Sequence, residues 1–298
     1  CDWSSDVCSS DLEFIQMKRA YLIYQKDEAE KNKGFIELFR QAGKREKIDF
    51  SYVPVTEYQK ASEEKLPDLV LNRTRDPEVS RWYEERGVPV HHDSRLVALA
   101  NHKYQMIRYF EEKLPETVRQ HKWCPTTKFV PDASKLCSDE AVERSLTEGY
   151  EVIKSVSGHG GSEVFLMENR RQWEQVLAGR EVILQEKIEC HSSDMRVYVL
   201  FGDIYCAMLR EGKDDFRSNF SLGGSVRKMG LTDLQRKYID CFIKCLPEYE
   251  KGMYSIDFLP TDDGGLLFDE VEEMVGCRML YQHTEYDIVA DYIKKLDL

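Results

Sequence analysis

Apolar runs and helical stretches alternate through the first ninety residues of the chain. Short apolar runs bounded by turn residues are typical of strands, and apolar positions spaced three and four residues apart are typical of helices. Strands separated by helices indicate an α/β unit with a mostly parallel sheet. A further helical region is predicted at 94–114. The predicted elements before it are strand 20–25, helix 29–42, strand 50–55, strand 68–73, helix 77–87 and strand 88–92.

The pattern changes after Pro115 and Pro125, where short apolar runs follow one another closely. Longer helical patterns interrupt these runs at 232–246 and again at 284–295. The chain is therefore predicted to combine an α/β unit with a β-rich α+β region. The strands of this second region are expected near residues 126–130, 151–155, 163–167, 182–186, 195–200 and 203–209.

The segment SIDFLPTDDGGLLFDEVEE, residues 255–273, has the pattern of a β-hairpin. Its two apolar runs flank an Asp-Gly turn signal at 263–264. With the turn centred there, Asp257 lies opposite Glu270, and Glu272 points to the same face because strand side chains alternate. Carboxylates this close repel unless a cation lies among them, and ligand sets made only of oxygen suit Mg²⁺ or Mn²⁺. A solvated acidic strand face is the alternative.

Composition narrows the classes of function. The 298 residues are 42% hydrophobic and 32% charged, which is typical of a soluble globular protein of one to three domains. A formal net charge of −12 argues against non-specific binding to nucleic acid and favours a local cationic pocket for any anionic substrate. Asp203 interrupts the most apolar stretch, so no membrane span is expected. Nine cysteines without a C-x-x-C spacing indicate a reducing, cytoplasmic protein with no disulfide framework and no zinc site.

The first residues, CDWSSDVCSSDL, resemble a translated cloning adapter. They lack the basic segment and the hydrophobic segment of a signal peptide. We expect residues 1–16 to be a non-native leader and Met17 to be the native start. Cys1 and Cys8 are then expected to carry no function.

A glycine- and serine-rich loop joins two predicted strands in EVIKSVSGHGGSEVFLM, residues 151–167. Glycine lets backbone N–H groups approach a phosphate closely, and Lys154 supplies a cation on the strand that enters the loop. The loop has no G-K-[ST] ending and opens no helix, which excludes the P-loop and Rossmann motifs. A strand–loop–strand phosphate lid and a flexible hairpin loop both remain. The candidate phosphate-binding residues of the loop are Gly158, Gly160, Gly161 and Ser162, and His159 lies at its tip.

The next segment adds candidate nucleotide contacts. Gln185, Glu186 and Ile188 follow an apolar strand, where backbone groups can bind an adenine ring. Asp194 then lies where a carboxylate can accept hydrogen bonds from ribose hydroxyls. It shares one strand face with Arg196, because the two are separated by one residue.

Positive charge is concentrated in the same β-rich block. Arg196 is followed by Arg210 at the end of the partner strand, and Arg217 and Asn219 occur in the string DFRSNFSLGG. Guanidinium groups match the oxygens of phosphate and carboxylate. A surface salt bridge is the alternative for each single arginine.

Taken in order, these residues resemble the ATP-grasp superfamily, and they are most similar to its RimK-like branch of glutamate ligases. The similarity extends over about residues 95–276, and DFRSN followed by Gly-Gly is its most specific part. The matching positions are Lys103, Lys154 with its glycine loop, the string QEKI, Asp194, Arg196, Arg210, DFRSN with Gly-Gly, Asp257, Glu270 and Glu272.

The resemblance implies a fold and a division of the chain. Residues 17–94 would form a Rossmann-like pre-ATP-grasp domain. Residues 95–190 would form the N-terminal ATP-grasp subdomain, which carries the nucleotide lid. Residues 191–298 would form the C-terminal subdomain with the metal and catalytic groups, and the two subdomains would clamp ATP between them.

The resemblance also implies roles for single residues. Lys103 and Lys154 would contact the phosphates of ATP. Glu186 and Ile188 would bind adenine, and Asp194 would bind ribose. The catalytic group would be Arg210, Arg217 and Asn219, with Arg210 stabilising the transferring phosphoryl group. Two Mg²⁺ ions, or Mn²⁺, would be held by Asp257, Glu270 and Glu272, although the family commonly has asparagine at the position of Glu272.

The implied reaction is ATP-dependent ligation of a carboxylate to an amine through an acyl phosphate. The substrates would be small molecules or peptides, and glutamate is one candidate. A dipeptide or glutathione-like ligase is an alternative, and a catalytically silent ATP-binding regulator is another. Arg73 and Arg75, at the end of a predicted strand, are candidates to bind an acidic amino acid. A free amino acid and a peptide both remain as acceptors, and the oligomeric state stays open.

Overall fold

Residues 17–212, 224–296 and 298 are described by the computed structural model of this chain. Its first unit is a sheet of four parallel strands in the order β2-β1-β3-β4, as the alternation of strands and helices predicts. The buried face of β1 and the apolar stripe of α2 close the core on one side. The elements are β1 (Lys18–Tyr24), α1 (Lys26–Lys31), α2 (Lys33–Arg45), β2 (Ile48–Pro54), α3 (Tyr58–Ala61), β3 (Leu69–Arg73), α4 (Pro77–Glu84) and β4 (Val90–His91).

Three helices and an antiparallel sheet follow. The sheet has four strands in the order β5-β8-β6-β7, and Trp173 is buried in its core. Three helices of this part, α7, α8 and α9, were not predicted, because each is too short for a clear 3.6-residue period. The elements are α5 (Ser94–Ala100), α6 (Lys103–Lys113), α7 (Glu116–Arg119), β5 (Thr127–Val130), a 3₁₀ turn (Ala133–Leu136), α8 (Asp139–Thr147), β6 (Val152–Ser155), β7 (Val164–Leu166), α9 (Arg170–Leu177) and β8 (Val182–Gln185).

The last part is built on an antiparallel sheet of five strands in the order β11-β10-β9-β12-β13. The predicted strands and the predicted hairpin are present, and β11 is an additional edge strand. A capping box of Thr232 and Gln235 begins the helix that precedes the hairpin. The elements are β9 (Ser193–Leu200), β10 (Asp203–Glu211), β11 (Ser225–Met229), α10 (Asp233–Cys245), β12 (Met253–Pro260), β13 (Leu266–Glu272), α11 (Arg278–His283) and α12 (Ile288–Lys294).

The five-stranded sheet has one apolar face and one charged face. On the apolar face, Phe110 of α6 packs between Phe242 of α10 and Phe268 of β13, with ring centroids 5.1 and 4.9 Å away. Burial of each ring stabilises the fold by about 1.5–3 kcal/mol. Because side chains alternate along a strand, the same packing turns Asp194 and Arg196 to the opposite face.

Two predicted helices have different bounds in the structure. The helix expected at 29–42 is divided between α1 and α2 at Asn32, whose side chain donates to the carbonyl of Glu28 at 2.8 Å. The helix expected at 284–295 begins later, because only α12 lies within that range and α11 ends before it. Thr284 ends α11 by donating its hydroxyl to the carbonyl of Leu280, and Asp287 accepts from the first turn of α12. Local side-chain hydrogen bonds therefore override the apolar period at both places.

The first sheet and the five-stranded sheet share one hydrophobic core. Leu22 and Phe39 of the first unit belong to the same buried cluster as Met208 of β10 and Tyr292 of α12. The carboxyl end of the first sheet is thereby fixed beside the charged face of the five-stranded sheet. Within the part of the chain that is described, none of the helices is long and apolar enough to cross a bilayer.

Candidate active site

The hairpin of β12 and β13 has the predicted register around its carboxylates. Asp257 is paired with Glu270, and Glu272 lies two residues further along the same strand. The register shifts between Asp257 and Phe258, which leaves one additional residue on β13. That residue is Asp269, and this bulge lets Asp269 and Glu270 both reach cations of the site. Asp269 was missed because strict alternation assigns neighbouring residues to opposite faces.

A guanidinium group lies among these carboxylates. Arg196 on β9 is the register partner of Asp257 on β12. Its Nε and Nη2 atoms donate to the two oxygens of Asp257 at 2.9 and 2.7 Å, and Nη2 is also 2.7 Å from Oε2 of Glu272. Burial opposes the charged form of Arg196, but Asp257 and Glu272 raise its pKa well above the ordinary value. The guanidinium of Arg196 is therefore a cation among the carboxylates, where their mutual repulsion predicts one.

The three carboxylates of the predicted metal site are not grouped around a common point in the described part of the chain, and the metal site stays a prediction. Across residues 17–212 and 224–296, no group of three or more histidine, cysteine, aspartate or glutamate side chains has an arrangement that holds a metal ion. The physical reason is that each of the three predicted ligands is turned toward a lysine or an arginine. Asp257, Glu270 and Glu272 lie on the predicted face, but they are separated by their cationic partners.

Arg210 is held in place by two aspartates. It is the register partner of Asp194, and its Nε donates to Oδ1 of Asp194 at 2.6 Å while Nη2 contacts Oδ2. Nη2 also donates to Asp257 at 2.6 Å. Asp194, Arg210 and Asp257 are all nearly inaccessible to solvent. Both oxygens of Asp194 are thus engaged by an arginine, in a place where the sequence analysis expected a ribose.

Two lysines approach the hairpin from other elements. Lys103, the first residue of α6, is 2.9 Å from Glu270 and donates to the carbonyl of Gly158 at 2.6 Å. Lys154 of β6 donates to Asp269 at 2.7 Å. Burial opposes ionisation of Glu270, but the ion pair with Lys103 lowers the pKa of Glu270 to about 2. Both predicted phosphate-binding lysines are therefore beside the carboxylate hairpin, each paired with one acid.

The glycine loop joins β6 and β7, as predicted. Gly160 and Gly161 have φ angles of +64° and +72°, a backbone region that favours glycine. A Cβ atom on Gly158 would lie 2.7 Å from the carboxylate of Glu163, so only glycine fits there. The hydroxyl of Ser162 donates to the carbonyl of His159 at 3.1 Å. Burial, Arg75 and Lys103 lower the pKa of His159 to about 4, so it is neutral near pH 7.

The predicted adenine-binding segment begins where β8 ends. The amide of Gln185 donates to the hydroxyl of Thr127 at 2.9 Å. Glu186 is 2.8 Å from Lys122 and also accepts from the backbone of Thr126, so its side chain secures the chain that enters β5. Ile188 lines a cavity of about 910 Å³ together with Glu186 and residues of the hairpin turn.

A smaller cavity of about 190 Å³ joins the other parts of the site. It opens between the glycine loop, the start of α11, and Arg196 and Arg210 of the five-stranded sheet. Arg278, which the sequence analysis did not single out, is one of its lining residues. The lining residues are His159, Gly160, Arg196, Arg210, Glu270, Val271, Glu272, Gly276, Arg278 and Met279.

The four remaining predicted residues differ in where they lie. Arg217 and Asn219 lie outside the described residues. Arg73 is buried, and its guanidinium donates to the hydroxyl of Tyr24 and to the carbonyl of Val275, so it joins the first sheet to the chain after β13 instead of presenting a free cation. Arg75 has a left-handed φ of +63°, and its buried Nε has no hydrogen-bond partner within the described part of the chain.

Comparison with known proteins decides the family. The model of the RimK-like ATP-grasp domain matches residues 125–296. This chain belongs to the RimK-like ATP-grasp family. Membership confirms the predicted fold class and the assignment to the carboxylate–amine ligases. The roles of single residues and the division into domains stay predictions.

Individual proteins agree with the family match. The uncharacterized protein MG011 of Mycoplasma genitalium is 24% identical over 275 residues, which cover 90% of this chain and 88% of that protein. The probable alpha-L-glutamate ligase 1 of Shewanella oneidensis is 28% identical over 233 residues, or 74% of this chain and 72% of the ligase. Among solved structures, the ATP-grasp ligase PsnB in complex with a precursor variant, Mg and ADP has a TM-score of 0.62 at 16% identity, covering 92% of this chain and 96% of PsnB.

Proposed function

We propose that this member of the RimK-like ATP-grasp family ligates the carboxylate of an amino acid or peptide to an amine, with ATP as the second substrate. The observation that carries the proposal is the 190 Å³ cavity, because the glycine loop, three arginines and two glutamates of the β12–β13 hairpin all line it. Acyl phosphate chemistry needs these groups together, since charge must be neutralised on a phosphate and a carboxylate at once.

Paired charges support a role in binding magnesium-ATP. Lys103 is paired with Glu270, Lys154 with Asp269, and Arg196 with Asp257. Each pair joins a cation that suits phosphate to an anion that suits Mg²⁺. When both parts of the substrate bind, phosphate oxygens can replace the carboxylates at the lysines, and Mg²⁺ can replace the lysines at the carboxylates. No buried charge is left unpaired by this exchange.

The carboxylates fit a hard divalent cation. Oε2 of Glu272 is buried and accepts no hydrogen bond from the described residues, although it lies 2.7 Å from Nη2 of Arg196. An additional cation would satisfy this oxygen. Asp257, Glu270 and Glu272 would hold two Mg²⁺ ions, with Mn²⁺ as an alternative, and the metal would neutralise the phosphate groups of ATP. The presence of Mg and ADP with PsnB supports this proposal.

The chemical steps require no side-chain nucleophile. A substrate carboxylate oxygen attacks the γ-phosphorus of ATP, ADP leaves, and an acyl phosphate forms. The amine then attacks the acyl carbon and loses a proton, and inorganic phosphate leaves as the amide forms. Arg210 lines the cavity and would stabilise the charge on the transferred group. Arg217 and Asn219 are proposed to assist it on the basis of the sequence motif alone.

We propose the remaining nucleotide contacts from where the predicted residues lie in the fold. The backbone after Gln185, with Glu186 and Ile188, would bind adenine, and Gly158, Gly160, Gly161 and Ser162 would cover the phosphates. For Asp194 we propose a different role from ribose binding. Its two oxygens accept from Arg210, so it would orient the guanidinium toward the cavity. We also propose small-molecule or peptide substrates and a cytoplasmic location, because the reaction consumes ATP.

Product formation tests the proposed function. The protein is incubated with ATP, Mg²⁺, glutamate and a panel of amines, amino acids and peptides, ADP release is followed, and the products are identified by mass spectrometry. ADP release that needs both a carboxylate and an amine, together with the mass of the matching amide, is the expected result. Tight ATP binding without ADP release from any pair of substrates would instead favour the silent nucleotide-binding regulator.

A further inference from the structure

Arg278 differs from the other arginines of the 190 Å³ cavity in having no partner among the residues that the structure describes. Arg196 is bound to Asp257, and Arg210 to Asp194 and Asp257. The side chain of Arg278 is exposed, lines the cavity, and makes no hydrogen bond or ion pair with any residue that the structure describes.

The backbone around Arg278 is firmly held even though its side chain is not. The hydroxyl of Tyr198 on β9 donates to the carbonyl of Gly276 at 2.9 Å. Met279 and Leu280, the next two residues of α11, are buried in the core that joins the two sheets. These contacts direct the preceding residue toward the open side of the helix. Arg278 is therefore a cation on a fixed support at the wall of the cavity.

The charges that line the cavity show what Arg278 is suited to bind. The acids among the lining residues are Glu270, which is paired with Lys103, and Glu272, which lies against Arg196. In the described part of the chain, Arg278 is the charged lining residue without a counter-ion. A single uncompensated guanidinium in a cavity of this size suits a carboxylate of a small ligand.

We propose that Arg278 determines substrate specificity by binding a substrate carboxylate that is not consumed in ligation. This inference rests on the proposed function. The substrate would then be an amino acid with two carboxylates, such as glutamate or aspartate, and Arg278 would hold either its α-carboxylate or its side-chain carboxylate while another group reacts. The α-carboxylate and the side-chain carboxylate offer the same chemistry, so the experiment must distinguish them.

Calorimetry of glutamate binding tests the proposal without requiring turnover. Glutamate is titrated into the full-length protein saturated with ADP and Mg²⁺, and the wild type is compared with Arg278→Gln. Loss of the charge-assisted contact is expected to weaken glutamate binding about 10- to 100-fold and to leave the affinity for ADP unchanged. Arg278→Lys should recover part of the affinity. Arg40→Gln, at an exposed arginine of α2, is the matched control and should bind glutamate like the wild type.

Two amides of glutamate identify the carboxylate. If Arg278 binds the α-carboxylate, the wild type should bind glutamine well and isoglutamine, the α-amide, poorly. If it binds the side-chain carboxylate, the preference should be reversed. In either case the affinities of the Arg278→Gln variant for glutamate and for the disfavoured amide should differ less than those of the wild type.

Three results would overturn the proposal: a wild type that binds neither glutamate nor aspartate, an Arg278→Gln variant with wild-type glutamate affinity, or a loss confined to ADP affinity. The last would make Arg278 a nucleotide contact. The proposed ligase function can fail independently of these results, because a protein that forms no amide can still bind glutamate through Arg278.

Discussion

Arg196 and Asp257 face each other across β9 and β12, and the guanidinium donates to both carboxylate oxygens, at 2.9 and 2.7 Å. An arginine so placed neutralises the buried carboxylate of Asp257, which we propose as a metal ligand. The acidic hairpin is thereby compatible with a stable fold, since a buried carboxylate without a partner is costly. A substitution that removes one member of a buried pair of this kind should therefore alter both stability and ligand binding.

Lys154→Ala should weaken ATP binding by about 1–3 kcal/mol, the scale of one charge-assisted contact to phosphate. Lys154 and its partner Asp269 are both partly accessible to water, so the melting temperature without nucleotide should change little. Calorimetry with ATP and Mg²⁺ measures the first effect and thermal unfolding the second. Lys128→Ala, which removes an exposed ion pair with Glu148, is the control. Unchanged ATP affinity in Lys154→Ala would remove this lysine from the site.

Arg210 should show different responses to two substitutions. Arg210→Ala leaves Asp194 and Asp257 with fewer partners in a buried place, and should lower the free energy of unfolding by about 3–5 kcal/mol. Arg210→Lys keeps the charge and should fold, yet kcat should fall by about 10²-fold while ATP affinity stays near the wild-type value. Denaturant unfolding and steady-state kinetics measure the two effects. A raised KM with unchanged kcat in Arg210→Lys would assign Arg210 to ground-state binding.

Glu270→Gln and Glu272→Asn should separate the two glutamates of the hairpin. An amide offers Mg²⁺ only one neutral oxygen, so the Glu270→Gln enzyme should no longer form the amide product. Repulsion among carboxylates alone would predict a more stable apo protein. The ion pair with Lys103 predicts the opposite, a loss of about 1–3 kcal/mol, because the lysine loses its counter-charge. Glu272→Asn should keep substantial activity, perturb apo stability less, and change the preference between Mg²⁺ and Mn²⁺.

Activity as a function of metal concentration and apo melting curves of both variants test this pair of expectations. An active Glu270→Gln enzyme would refute the metal site. An apo Glu270→Gln protein that is more stable than the wild type would refute the structural role of the Lys103 pair.

Stability should fall as the pH is lowered from about 7.5 to 5, because two buried histidines resist protonation. Burial lowers the pKa of His91 to about 3 and that of His92 to about 4. The unfolded chain binds these protons near pH 6.5, so their stabilising contribution is complete above that pH and is lost as the pH falls toward the folded values. The carboxylate pairs act in the same direction at lower pH, since the pKa of Glu270 is about 2.

Denaturant unfolding at several pH values measures this dependence. His92→Gln can still donate to the carbonyl of Met253, as Nε2 of His92 does at 2.9 Å, but it does not titrate. Its unfolding free energy should therefore vary less between pH 7.5 and 5 than that of the wild type. His121→Gln, at an exposed histidine, should keep the wild-type dependence. If the unfolding free energy changed with pH by the same amount in all three proteins, His92 would be excluded as a source of the pH dependence.

The sequence by itself determined the elements that depend on local rules. The Asp-Gly turn and the two-residue period of strands predicted the pairing of Asp257 with Glu270, and the glycines of the loop predicted a strand–loop–strand connection. The parallel sheet followed from the alternation of strands and helices. These features are encoded by neighbours in the chain, so composition and spacing are sufficient to read them.

Only the tertiary structure decided which charges meet. Arg196 lies among the carboxylates because β9 pairs with β12, two strands separated by a helix and more than fifty residues of chain. Asp269 enters the site through a bulge, which adds one residue and breaks strand alternation. Arg73 is buried where the first sheet meets the chain after β13, and within residues 17–212 and 224–296 Arg278 has no partner, because the packing of Met279 and Leu280 turns it away from the core. Ion pairs and burial depend on distances between remote segments, and a local pattern carries no information about those distances.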